Sequence, residues 1–388
     1  MNPLFKEIRH NPLPWLLALV PVALIAAKLV PDAHTLLFVL SVLAIAPLAG
    51  LLSHATESVA EKTGDAAGGL LNATLGNLTE LIIAAAALRA GEYALVKGSI
   101  AGAIVTNTLF MLGASFLLGG LKHHLQEYNR ASARLHAALL FLATIALVSP
   151  SAIAKADLLP GAALTQKLSV ALAVLLIVGY GLGLLFSLKT HQEIFSGAEH
   201  AEAGEPAWPI AQALVTLAAV TILVALVSEI FVESVQKVAE TFGMSQAFVG
   251  FIVVALVGAA AEMAVAFSAA RKNRLDLSVG IALGSASQIA LFVGQLVLLS
   301  YVIGPTPMDL QFWPGAVVMV FVATLVAAFI TSGGRSAWFV GVLLIFVYAV
   351  FARLISETTC YANYHSAYVR LWPKADIAHC TAHGRFWV

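Results

Sequence analysis

Long apolar runs separated by short polar turns make up most of this chain. A membrane-spanning helix needs ~20 mostly apolar residues. Eleven segments are candidates: 14–30, 35–59, 68–88, 95–119, 133–150, 167–188, 209–235, 247–270, 277–303, 312–331 and 336–356. Backbone groups cannot stay unpaired in hydrocarbon, and runs this long satisfy them as helices rather than as barrel strands of ~10 residues. Lys6 and Arg9 precede the first run in the manner of a signal peptide. No small-x-small cleavage site closes that run, however, and a second run follows at once, so it reads as a first spanning helix.

The polar positions between the runs orient the bundle. With the N-terminus in the cytoplasm, eleven basic residues fall on that side: Lys6, Arg9, Lys62, Lys122, Arg130, Arg134, Lys189, Arg271, Lys272, Arg274 and Arg335. Six fall on the other: Lys28, Arg89, Lys97, Lys155, Lys167 and Lys237. The positive-inside rule therefore places the N-terminus in the cytoplasm. The longest polar stretch, 189–208, carries Glu193, Glu199, Glu202 and Glu205 and reads as an acidic cytoplasmic linker.

Composition agrees. The chain has 388 residues, 60% hydrophobic and 11% charged, with a mean hydropathy of +0.91; soluble proteins carry about 25% charged residues. Formal net charge is zero, which argues against nucleic acid as a partner. The two cysteines, Cys360 and Cys380, lie in the last thirty residues, so the apolar body holds no disulfide or thiolate metal site.

The chain repeats itself. Adding 182 to the segment 68–107 carries Gly68, Gly76, Gly98 and Gly102 onto Gly250, Gly258, Gly280 and Gly284. The same offset carries Glu80 onto Glu262 and Arg89 onto Arg271. The third span maps on the eighth, so the unit is five helices, and an odd unit inserts its second copy upside down. The expected fold is one N-terminal helix (1–34) and two inverted five-helix repeats (35–188 and 209–356) joined by the linker, with a polar, disordered tail from 357. Transporters built this way bind their substrate at the repeat interface near the midplane.

Glu80 and Glu262 carry the chemistry. A carboxylate inside an apolar span is costly, and an inverted repeat brings equivalent positions together. Two facing carboxylates suit a hard divalent cation, which takes several oxygen ligands; without it they need protons to relieve their repulsion. A site that holds a cation or protons, but not both, is the physical basis of exchange. Gly76 and Gly258 permit a bend beside each acid, and Asn77 and Thr79 add neutral oxygens in the first copy. On the fourth and ninth spans, Thr106, Asn107, Ser285 and Gln288 are candidate polar lining. Glu57, Glu229 and Glu233 are candidates for an access path on the second and seventh spans. His123, His124 and His136 read as solvated at a helix end, and His54 as a buried histidine. No HExxH, GxSxG or P-loop is present, so a transporter is expected and an enzyme is not.

The run Gly68-Gly69-Leu70-Leu71-Asn72-Ala73-Thr74-Leu75-Gly76-Asn77-Leu78-Thr79-Glu80-Leu81-Ile82 resembles the first signature of the Ca²⁺/H⁺ exchangers of the cation/Ca²⁺ antiporter superfamily. Residues 250–292, with Lys272-Asn273, Gly284-Ser285 and Gln288-Ile289-Ala290-Leu291-Phe292, resemble the second. The resemblance covers about residues 35–352. It implies eleven helices, a cation held between Glu80 and Glu262 with help from carbonyls at breaks in the third and eighth spans, and Ca²⁺/H⁺ exchange by alternating access. Ca²⁺ is then the transported ion and no cofactor is needed; the partners are Ca²⁺, H⁺ and the bilayer, a bacterial inner membrane, with the oligomeric state left open. This chain departs from the second signature, Gly-Asn-x-x-Glu-His, by carrying Ala259 and Met263. One oxygen ligand and one titratable group are missing, so exchange of another cation (Na⁺, K⁺ or another divalent) for H⁺ on the same fold is the alternative.

Overall fold

A computed structural model describes residues 13–63, 68, 70–71, 74–155, 162–191 and 208–370. The linker acids Glu193, Glu199, Glu202 and Glu205 lie outside the described residues. Each predicted segment has a helical counterpart. A 3₁₀ stretch, Leu13–Ala18, leads into α1 (Leu19–Leu29). Then follow α2 (His34–Thr63), α3 (Leu78–Arg89), α4 (Tyr93–His123), α5 (Arg130–Lys155) and α6 (Ala162–Leu185, prolonged by a π-turn Phe186–Thr190). The second half comprises α7 (Ile210–Phe242), α8 (Gln246–Gly258), α9 (Ala260–Arg271), α10 (Leu275–Ile303), α11 (Pro314–Thr331) and α12 (Trp338–Arg370). Among the described residues, eight helices are long and apolar enough to cross a membrane, or nine if the bent pair α8–α9 is one span. Side chains such as Phe329 (81% exposed) and Val302 (82%) lie uncovered on helix faces, which suits contact with lipid.

The breaks expected in two spans are present, and one boundary differs from the expected one. The third and eighth spans are not continuous helices. The chain turns at Gly76-Asn77 before α3, and α8 meets α9 at 56° across Ala259. Glycine opens both turns, and both lie inside the protein, where freed backbone groups find partners that lipid cannot offer. The tail expected from 357 instead begins as helix, since the α12 backbone continues to Arg370.

Helix contacts cross between the halves in a matched pattern. α2 packs on α7, α3 on α7, and α9 on α2. α4 packs against α11 and α12, while α10 packs against α5 and α6. Exchanging each helix for its counterpart in the other half maps these contacts onto each other, as a pseudo-two-fold arrangement requires. Glycines bring the backbones close. A Cβ on Gly98 or Gly102 would overlap the backbone of α8 at Ala247 or Phe251, and one on Gly113 would lie 2.8 Å from Leu344 Cβ on α12. Close approach of this kind replaces the hydrophobic drive that is missing between helices in lipid.

At one end of the bundle, β1 (Leu125–Glu127) and β2 (Arg335–Ala337) form a short antiparallel ribbon with Gln126 opposite Ser336. Gln126 Nε2 reaches from it to the Ala270 carbonyl and to Asn273 Oδ1, both 3.0 Å away. Lys122 and His123 donate to the Arg271 carbonyl, each at 3.1 Å. The Lys122 ammonium at the carbonyl end of α9 complements its dipole. At the opposite end, Lys97 pairs with Asp309 at 2.5 Å, and Tyr93 holds the backbone N–H of Thr306 at 3.0 Å.

Candidate cation site

Each break starts a new helix, and each places its acid in the first turn. Glu80 occupies that position in α3 and Glu262 in α9. An N-terminal turn favours negative charge, which offsets part of the cost of a carboxylate inside the bundle. Both side chains are partly buried, and they are close enough for the charge of Glu80 to act on Glu262. Glu262 Oε2 is buried and has no hydrogen-bond partner. The backbone of the second break lies against the acid of the first: a Cβ on Gly258 would sit 3.1 Å from Glu80 Oε1. Only glycine leaves that space.

A polar cluster ties the halves together around the acids. Asn77 Nδ2 donates to Gln288 Oε1 at 2.8 Å, and Ser285 Oγ donates to Asn77 Oδ1 at 3.0 Å. Asn107 Nδ2 donates to Ser285 Oγ at 2.9 Å. Asn107 is fully buried, and its Oδ1 lacks a partner. It stands in a π-turn of α4, Thr106–Met111, where the wider backbone spiral re-aims side chains. Under the 182-residue offset the cluster is one-sided. Asn77, Ser285 and Gln288 answer to Ala259, Ala103 and Thr106, so the second break lacks the amide that pins the first.

Asn77, Asn107, Ser285 and Gln288 thus come together with Glu80 and Glu262, as their sequence pattern suggests. Thr79 is buried beside Glu80 in the chain. Thr106 instead meets Tyr348 of α12, with 3.5 Å between the hydroxyls. The candidate access residues are dispersed. Glu57 accepts from Ser53 on α2 at 3.1 Å, Glu229 pairs with Arg89 at 3.0 Å on an exposed face, and Glu233 is exposed on α7. His136 corrects the expectation of a solvated helix end. It lies more than a turn inside α5, beside Gly284, with Nδ1 3.5 Å from Ser287 Oγ. His54 packs against Trp208 with ring centroids 4.5 Å apart and the planes tilted by 59°. The Lys97–Asp309 pair was not legible beforehand, because its partners lie 212 residues apart. Among the described residues no three His, Cys, Asp or Glu side chains cluster as metal ligands. A cation at the carboxylate pair would complete its shell from amides, hydroxyls and the carbonyls freed at the breaks.

Comparison with known proteins agrees with this geometry. Residues 33–189 and 212–356 match the family described as sodium/calcium exchanger protein. A Ca(2+)/H(+) antiporter of Aphanothece halophytica is 39% identical over 349 residues, covering 86% of this chain and 93% of that protein. The Ca(2+)/H(+) antiporter ChaA of Bacillus subtilis is 39% identical over 320 residues, covering 81% and 90%. The solved structure of native YfkE superposes with a TM-score of 0.77 at 35% identity, covering 89% of this chain and 99% of that one. That of the H+/Ca2+ exchanger CAX superposes at 0.70 and 17% identity, covering 92% and 94%, a likeness of fold. The chain is a multi-pass membrane protein and belongs to the sodium/calcium exchanger family.

Proposed function

We propose that this chain exchanges Ca²⁺ for H⁺ across a membrane by alternating access, with Glu80 and Glu262 holding either the cation or protons. The observation that carries the reading is the meeting of those two acids at paired helix breaks, with Gly258 backbone against Glu80 and an orphan oxygen on Glu262. Similarity to proteins named Ca(2+)/H(+) antiporters along most of their length supports the choice of ions. Two like charges in poorly polarisable surroundings need neutralising. Ca²⁺ does this by gathering oxygens, and protons do it by making each acid neutral; occupancy by one displaces the other. The crossing contacts between α2 and α7, and between α4 and α8, are the surfaces along which the two halves would rock.

The same reading places the N-terminus in the cytoplasm of a bacterial cell with the bilayer as the inner membrane, and the repeats at 35–188 and 209–356 about the linker 189–208. Glu57 and the pair Glu229 and Glu233 occupy antiparallel helices near opposite ends, so each would draw cations toward the site from one side. A second reading, exchange of another cation for H⁺, draws on Ala259, which leaves the second break without a side-chain oxygen. Purified protein in vesicles decides between them when Ca²⁺, Na⁺, K⁺ and other divalents are offered in turn and proton movement is followed. Ca²⁺-driven proton flux, lost in Glu80→Gln and in Glu262→Gln, is expected. Flux with a monovalent ion alone would favour the second reading, and flux that survives both substitutions would remove the acids from the site.

A further inference from the structure

Four buried polar atoms away from the carboxylate pair have no hydrogen-bond partner among the described residues: Ser115 Oγ, Ser278 Oγ, Gln126 Oε1 and Arg274 Nη2. Helix geometry strings them along one seam toward the ribbon end of the bundle. α4 ends at the ribbon and α10 begins there, so the two helices run antiparallel, and Asn107 of α4 meets Ser285 of α10. Ser278 precedes Ser285 by seven residues, which puts it two turns nearer the ribbon on the same face. Ser115 follows Asn107 by eight residues, and the wide π-turn Thr106–Met111 absorbs the extra one, so Ser115 reaches the same face and depth. Both serines are fully buried. One turn further on, Gly119 of α4 faces Gln126 Oε1 and the Ala270 carbonyl, and the Ser278 N–H bonds to the Arg274 carbonyl at 3.4 Å. α9 packs against both helices and closes the third side. Its buried positions beyond Met263 are alanines, Ala266, Ala269 and Ala270. The seam thus spans ~12 Å of helix from Glu262 to the ribbon. At its inner end stand two more unpartnered atoms, Asn107 Oδ1 and Glu262 Oε2. Buried polar groups of this kind are met by ordered water.

We propose that the seam between α4, α9 and α10 holds a file of water that carries protons between Glu262 and the ribbon end, a route separate from that of the metal ion. The proposal rests on the reading of Glu262 as an acid that takes up and releases protons. Glu262 gives its proton to the innermost water, each water passes one proton on as it accepts another, and one proton leaves to bulk at the ribbon; the reverse sequence loads the acid. The seam groups beyond Glu262 are hydroxyls, amides and a guanidinium, none of them an anionic ligand for a metal. At the mouth Arg274, with Arg271 and Lys272 exposed beside it, repels a divalent ion twice as strongly as a hydronium. The acid there, Asp276, is engaged by the Asn129 backbone N–H. The carbonyl end of α9 offsets part of the positive field for the singly charged carrier.

The test uses the full-length protein in vesicles and compares two exchanges: Ca²⁺ for H⁺, and Ca²⁺ for radioactive Ca²⁺, which moves no proton. Ser115→Val and Ser278→Val, which replace a hydroxyl by methyl groups, are each expected to slow the first about tenfold more than the second. Ser115→Thr and Ser278→Thr have the volume of valine and keep the hydroxyl, and are expected to retain most of the Ca²⁺/H⁺ rate. Equal loss of both exchanges, equal loss in the Thr and Val variants, or no loss at all would overturn the inference. A crystallographic map that shows ordered water is expected to place it within hydrogen-bond distance of Ser115 and Ser278; a dry seam would overturn the inference even where the valine variants fail to fold. Absence of Ca²⁺/H⁺ exchange in the unsubstituted protein would instead defeat the functional reading, whereas native exchange with indifferent valine variants would defeat this inference alone.

Discussion

Ser285 has one proton and stands between two amides. It donates to Asn77 and accepts from Asn107. Ser285→Ala leaves the Asn77 oxygen and an Asn107 N–H short of partners in a buried setting, where each unsatisfied group costs about 1–3 kcal/mol. Thermal unfolding in detergent is expected to fall by several degrees, and exchange with it; Ser285→Thr keeps the hydroxyl and restores most of both. Gly258 acts differently. A methyl group there would lie 3.1 Å from Glu80 Oε1, so Gly258→Ala must displace the carboxylate. The expected outcome is an apparent cation affinity at least about tenfold weaker, read from the KM for Ca²⁺, with a small change in melting temperature. An unchanged KM would mean that Glu80 does not need that position.

Between elements, the crossing of α4 on α8 is lined by glycines on both helices. Gly102 lies on Phe251, and a Cβ on Gly250 would sit 2.6 Å from the Leu95 carbonyl oxygen. Gly102→Val or Gly250→Val forces these helices apart and strips contact along both, at a cost of several kcal/mol by analogy with overpacked cores. Lost monodispersity on size exclusion, or a melting temperature lower by ten degrees or so, is expected. Gly181 on α6 is the control. Nothing lies within 4 Å of its added Cβ, and alanine is the better helix former by about 1 kcal/mol. Gly181→Ala is expected to unfold no earlier than the native chain. If the crossing variants match it, the close approach of α4 and α8 contributes little.

For the molecule as a whole, the ribbon end and the 304–313 loop end of the bundle must face opposite sides of the bilayer. With Cys360 and Cys380 replaced, a cysteine at His124 and one at Pro307 are expected to react with a membrane-impermeant thiol reagent from opposite sides of sealed vesicles, His124 from the cytoplasmic face. Reaction of both from one side would contradict the inverted arrangement. The bent spans and the matched exchange of helix contacts between halves make alternate packings of the same parts physically available, because packed interfaces shift between discrete arrangements rather than deform continuously.

Eleven apolar runs, a 182-residue self-similarity and two acids where none belongs were legible along the chain. They are local patterns, set by how costly charge and bare backbone are in hydrocarbon. From them the helix order, the inverted halves and the pair Glu80 and Glu262 followed. Tertiary structure alone decided which polar atoms meet. The bonds of Asn77 to Gln288 and of Asn107 to Ser285 join residues 211 and 178 positions apart, a separation no periodicity encodes. It also decided the bend of 56° at Ala259, the placement of His136 beside Gly284 and the turn of Thr106 toward Tyr348. Hydropathy says that a segment is buried in something, lipid or protein. Only the packing of helices against one another says which side of each helix meets which.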